Sequence, residues 1–174
     1  MNEEKKQEEF YKKFFSKQIE DTKKLPTQIK KDFFLYTQDS EFYNNHSNLL
    51  DEEERKELES VKKNMLKGFD LITPTKKDIV LYRGLENIDR ISMNRLKSQF
   101  ISTSTSRKIA EAFSDKECCV LVIKVLAGSR ILPLLELSDI RSELEILIPP
   151  IGFWEAVERT FVNGKKVYLF TYKN

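Results

Sequence analysis

What most limits how this chain can fold is a change of texture at Pro74. Long charged stretches with apolar residues at helical intervals precede it, and short β-like runs separated by turn residues follow it. Helices first and strands afterwards predict an α+β domain with an antiparallel-rich sheet core, not a repeated βαβ array. The length of 174 residues suits one domain, with a helical part over 1–75 and a β-rich part over 76–174. At 40% hydrophobic and 11% aromatic, the composition supplies a core and excludes a disordered tail.

From Glu3 to about Lys24, the residues Phe10, Phe14 and Ile19, alongside Tyr11 and Phe15, recur at roughly helical spacing among Glu, Lys and Gln. This predicts one amphipathic helix ended by Pro26. Thr27 to Asn48 reads as a further helix followed by a polar turn at Asn44, Asn45 and His46. Asp51 is placed to cap a third helix whose apolar stripe is Leu58, Val61, Met65 and Leu66. Its early acidic residues and its late Lys62, Lys63 and Lys67 suit the two ends of the helix dipole. Strands are expected at Ile79–Tyr82, Gln99–Ser102, Val120–Val125, Ser129–Leu132, Glu145–Ile148, Phe153–Phe161 and Lys166–Tyr172. A helix is expected at Arg107–Ser114 and a hairpin turn at Asn163-Gly164.

Several functional classes are excluded or disfavoured. Thirty Lys+Arg against 28 Asp+Glu leave a formal charge of +2, without the basic excess of a phosphate-backbone binder, so no nucleic-acid partner is favoured. Cys118 and Cys119 are adjacent and cannot easily reach ordinary disulfide geometry, which points to a reducing compartment. With these cysteines and the single histidine, His46, a Cys/His zinc site is not credible, and no metal is expected. A catalytic triad would need His46, which reads as an exposed loop residue. The apolar run Val120–Ala127 is interrupted by Lys124 and the amino terminus is charged, so neither a membrane span nor a signal peptide is expected. The expectation is an intracellular monomer.

No glycine-rich phosphate loop is present, and the five glycines (Gly68, Gly84, Gly128, Gly152 and Gly164) are widely scattered. A nucleotide would have to be held by side chains, and three clusters offer them. In Val80-Leu81-Tyr82-Arg83-Gly84-Leu85 an arginine ends an apolar strand. Its guanidinium could take a pyrophosphate through paired hydrogen bonds, with Gly84 permitting close approach of ligand or chain; alternatively it pairs with an acidic residue. In Phe100-Ile101-Ser102-Thr103-Ser104, Ser102 and Ser104 share one strand face and could hold a carboxylate, while Ser104 to Ser106 also suit the cap of the next helix. In Arg141-Ser142-Glu143-Leu144-Glu145, an extended backbone would put Glu143 and Glu145 on one side and Leu144 with Ile146 on the other. Paired acids on one wall suit glycosyl chemistry, one stabilising a ribose cation and the other orienting or deprotonating an acceptor. A solvated polar strand face is the alternative.

Arg-Gly after a strand, Ser-Thr-Ser in a second and Glu-x-Glu in a third, in this order, resembles the R-S-E class of mono-ADP-ribosyltransferases. The resemblance runs from Ile79 to the end. It is most specific in Phe100–Ser104 followed by Ala110 and Phe113, in Gly128 with Ile131, and in Ser142–Pro150, which is similar to the E-x-E-V-L-I-P-P stretch of arginine-specific members. The resemblance implies NAD+ as co-substrate, bent in a cleft between two roughly perpendicular antiparallel-rich sheets with a helical region packed alongside. It further implies that Arg83 grips the NAD+ phosphates, with Tyr82, Gly84, Thr103 and Ser104 around the dinucleotide. Ser102 would position Glu145, the catalytic glutamate, whose carboxylate binds the 2′-hydroxyl of the nicotinamide ribose. Glu143 would serve the acceptor, an accessible arginine of a target protein, and Ile140 or Leu137 would present the apolar contact of the substrate-recognition loop.

Two departures from the family pattern stand out. The short segment before Cys118 leaves little room for an extended nicotinamide-covering loop, so Phe113 is expected in the helix core rather than as a stacking partner. Secreted vertebrate-type members carry disulfides, which this chain lacks, so an enzyme, effector or toxin domain working inside a cell is expected. The alternatives are an NAD+ glycohydrolase with water as acceptor and an inactive interaction module on the same scaffold.

Overall fold

The computed structural model describes residues 3–45, 50–85, 93–114, 119–139, 144–162 and 165–174. Its first half is helical: α1 (Glu3–Phe14), α2 (Ser16–Lys24), α3 (Thr27–Gln38), α4 (Ser40–Asn45) and α5 (Glu52–Asp70). The single amino-terminal helix expected from the periodicity is interrupted at Phe15, although the Phe15 N–H to Tyr11 and Ile19 N–H to Phe15 bonds run across the break at 2.9 and 2.8 Å. The buried stripe is Tyr11, Phe15 and Ile19 at four-residue spacing, whereas Phe10 lies 47% exposed on the neighbouring face. Leu25 takes an extended ψ of 145°, as the residue before Pro26 must, and α2 ends there. Asp51 accepts from the Glu54 N–H, and the Glu54 side chain accepts from the Asp51 N–H, closing a reciprocal cap on α5. Asn44 and Asn45 belong to α4 and not to a turn; His46 lies outside the described residues.

The second half contributes β1 (Ile79–Leu85), α6 (Met93–Ser98), β2 (Ile101–Ser104), α7 (Arg107–Ala112), β3 (Cys119–Val125), β4 (Leu132–Pro133), β5 (Glu145–Ile148), β6 (Phe153–Val162) and β7 (Lys165–Lys173). The architecture is the expected α+β arrangement, amino-terminal helices on an antiparallel-rich sheet. The strand order is β4-β5-β2-β1-β3-β7-β6, and only the β3–β7 pair is parallel among the described strands. A ladder of seven pairs joins β1 to β3, and four pairs join β2 to β5, but β1 meets β2 at one pair, Tyr82 with Ser104. The β1–β2 pairing is therefore the shortest in this seven-stranded sheet. Val162 opposite Lys165 closes the β6–β7 hairpin around Asn163 and Gly164, which lie outside the described residues.

Two strands differ from the sequence expectation. β2 begins two residues late because the Phe100 carbonyl is taken by the Tyr36 hydroxyl at 3.2 Å and the Asn44 amide at 3.3 Å, and the ladder starts only at Ile101. Ser129 lies in a turn, its N–H bonded to Leu126 at 3.2 Å beside Gly128 at φ 89°, which leaves β4 just two residues.

Apolar side chains gather in two clusters on opposite sides of β5. Ile146 and Ile148 join Tyr11, Phe15, Ile19, Leu81 and Leu121, while Leu147 joins Phe33, Tyr36, Met65, Phe69 and Phe100. Burial on both faces explains why β5 reads as a continuous apolar run, and α1 and α3 bring it two aromatic supports.

Candidate active site

Strand alternation builds the site. Glu145 opens β5 on the same side as Leu147, and the register sets Ser104 opposite Glu145 and Ser102 opposite Leu147, so both serines share the glutamate's face. The Ser102 hydroxyl donates to Oε1 of Glu145. Arg83 alternates onto the Leu81 side of β1, yet its Nη1 donates to the Ser102 carbonyl at 2.8 Å where the β1–β2 ladder stops. Ser102 thus joins the other two, its backbone carbonyl taking the Arg83 guanidinium and its hydroxyl reaching the Glu145 carboxylate, and all three residues are half-buried. Tyr36 lies beneath them. Burial pushes its phenol well above the ordinary range, the Asn44 hydrogen bond and Arg83 pull it down, and Glu145 raises it further, so it senses both site charges.

The other sequence candidates divide. Tyr82 is half-buried and paired with Ser104, on the serine side of β1. Ser104 is buried and accepts from the Ser106 N–H at 3.1 Å, while Ser106 caps α7 by accepting from Ile109 at 3.4 Å. Thr103 faces the other side, 4% exposed, where its hydroxyl donates to the Ile146 carbonyl at 2.7 Å and fastens β2 to β5. Gly84 admits the chain itself: a Cβ there would stand 1.9 Å from the Ala110 carbonyl oxygen of α7. Since that neighbour is backbone, Gly84→Ala should cost about 1–3 kcal/mol through overpacking. Thermal denaturation should show the midpoint falling by several degrees, and an unchanged midpoint would contradict this tight crossing.

Three expectations change. Phe113 is 56% exposed, not a core residue, because α7 ends at Ala112 and the ring leaves the buried side. Leu137 is 6% exposed within the Phe33–Phe100 cluster, so it does not present an apolar contact to a target. Leu144 has φ 48°, which interrupts the extended backbone assumed for Glu143-Leu144-Glu145. β5 therefore begins at Glu145; Glu143, Ile140, Arg141 and Ser142 lie outside the described residues.

Sequence reasoning overlooked two residues beside the site. Tyr11 in α1 donates to the Glu145 backbone carbonyl at 2.8 Å, and Tyr36 in α3 donates to the Phe100 carbonyl. Tyr11 was legible as part of an apolar stripe, but its spacing carries no sign that a strand 134 residues away receives its hydroxyl.

Among the described residues no group of three or more His, Cys, Asp or Glu side chains could hold a metal, and no helix is long and apolar enough to cross a membrane. No family model and no curated protein matches the sequence. Solved structures do match. Plx2a, an ADP-ribosyltransferase toxin from Paenibacillus larvae, superposes with a TM-score of 0.75 at 16% identity over 98% of this chain and 96% of its own. C3stau2 from S. aureus, solved with NAD, gives 0.74 at 13% identity over 94% and 95%. Vis, the Vibrio splendidus ADP-ribosyltransferase solved with agmatine, gives 0.70 at 12% identity over 100% and 87%. With its helices first, its antiparallel-rich seven-stranded sheet, and these likenesses along nearly its whole length, the chain has the fold of the ADP-ribosyltransferase toxins.

Proposed function

We propose that this protein cleaves NAD+ and transfers the ADP-ribose to an arginine side chain of a target protein, releasing nicotinamide. The observation that carries the proposal is the pair of hydrogen bonds by which Ser102 joins Arg83 to Glu145, one at its carbonyl and one at its hydroxyl. This donor set fits the dinucleotide. A guanidinium suits the pyrophosphate, and a carboxylate held by a hydroxyl suits the ribose. The solved structures of C3stau2 with NAD and of Vis with agmatine, a guanidinium compound, support the same classes of ligand.

The chemistry follows from charge. As the bond from ribose C1′ to the nicotinamide nitrogen breaks, its electron pair leaves with nicotinamide and neutralises the pyridinium. Positive charge then develops on the ribose, and a fixed carboxylate stabilises this more than it stabilises the ground state. Glu145 performs that step while accepting from the ribose 2′-hydroxyl, and Ser102 keeps its carboxylate oriented. An arginine is almost fully protonated at neutral pH, so it attacks C1′ only as a base removes a proton. Glu143 is assigned as that base on its position in the Glu-x-Glu motif.

Incubation with NAD+ labelled in the adenylate part, with and without agmatine, tests this reading. The expected result is label in an ADP-ribosyl-agmatine product together with released nicotinamide. Nicotinamide release without transfer would make water the acceptor, and no release would remove the catalytic assignment altogether.

A further inference from the structure

We infer that Tyr11 is a positioning residue for the Glu145 carboxylate, holding the start of β5 from the face opposite to that carboxylate; this rests on the role proposed above for Glu145. Glu145 is the first residue of its strand, and Leu144 just before it turns through φ 48°, so among the described residues the ladder with β2 ends at the Ser104–Glu145 pair. The Glu145 carbonyl accepts from the Leu134 N–H at 3.0 Å and from the Tyr11 hydroxyl at 2.8 Å. Leu134 follows the two-residue strand β4 at one border of the sheet. Tyr11 comes from a helix.

The helix supplies a stiff mount. Tyr11 is fully buried, its ring 5.2 Å from that of Phe15, which packs edge-on against Phe14 at 4.9 Å. Burial, with the charge of Glu145 adding to it, pushes the phenol far above its ordinary range, so it remains a neutral donor wherever the enzyme works. Fixing the peptide plane at Glu145 fixes the direction in which its side chain leaves the strand, and hence where the carboxylate meets Ser102. A stabilising role alone would require only some carbonyl; this hydroxyl binds the carbonyl of the residue whose carboxylate faces the ribose.

The test compares wild type, Tyr11→Phe and Thr22→Val in steady-state NAD+ cleavage, read as nicotinamide released per titrated NAD+-binding site. Thr22→Val removes another buried hydroxyl, which donates within α2 to the Ile19 carbonyl at 2.7 Å. Counting binding sites removes any unfolded fraction from the rate. Tyr11→Phe should lower kcat about tenfold with KM for NAD+ within about twofold, the pattern of an interaction expressed in the transition state. Thr22→Val should leave both constants at the parental values. An active wild type with Tyr11→Phe at the parental kcat, or an equal fall in both variants, overturns the role of Tyr11 alone. A wild type that does not cleave NAD+ overturns the function proposed for Glu145 and this inference with it.

Discussion

Glu145→Gln should lower both ADP-ribosyl transfer and NAD+ hydrolysis by roughly 10³-fold, the order found when a group aimed at developing charge is removed. The amide keeps the size of the carboxylate and can still accept from the Ser102 hydroxyl, so packing around β5 should survive. What it lacks is the negative charge beside the ribose as nicotinamide departs. Both products share that step, and both should fall together. Nicotinamide release and label incorporation, measured in parallel, check this, and KM for NAD+ should change little because Arg83 is untouched. A variant that hydrolyses NAD+ at the parental rate would show that the carboxylate nearest Ser102 is not the one that matters.

Glu143→Gln should separate the two outcomes. Transfer to arginine should drop by about 10²–10⁴-fold, the usual worth of a positioned general base, while hydrolysis continues at its former rate. The reason lies in the acceptors. Water attacks an oxocarbenium-like centre without a strong base, whereas a guanidinium must give up a proton to become nucleophilic. Agmatine serves as acceptor in the transfer assay, and nicotinamide release without agmatine reports hydrolysis. Equal loss of both activities would contradict the division of roles between the two glutamates.

Much of the fold was legible in the residues. Asp51 as a cap, Pro26 as a helix end, and Leu58, Val61 and Met65 on one stripe are local signals, and each is found in the structure. Ser102 and Ser104 were placed on one face by strand periodicity alone, and the register with β5 agrees. The expectations that failed depended on distant partners. The start of β2 moved because Tyr36 and Asn44 occupy the Phe100 carbonyl, and Asn44 does so from helix α4. Phe10 and Phe14 were as plausible a buried stripe as Tyr11 and Phe15 until the sheet fixed which side of α1 was covered.

Taken by themselves, the residues determined the helical and strand halves, the absence of a glycine-rich phosphate loop, and three clusters with the right chemistry for a dinucleotide. These follow from side-chain period, turn preference and the functional groups present, which are properties of neighbours in the chain. Only the tertiary structure decided that Arg83, Ser102 and Glu145 meet, that Gly84 admits a helix carbonyl, and that Thr103 is spent on joining strands. It also decided that a tyrosine from the first helix ends on the glutamate's own backbone. Such contacts depend on register and on where a ladder stops, here at the Tyr82–Ser104 pair, and these are set when separate segments pack around a common core.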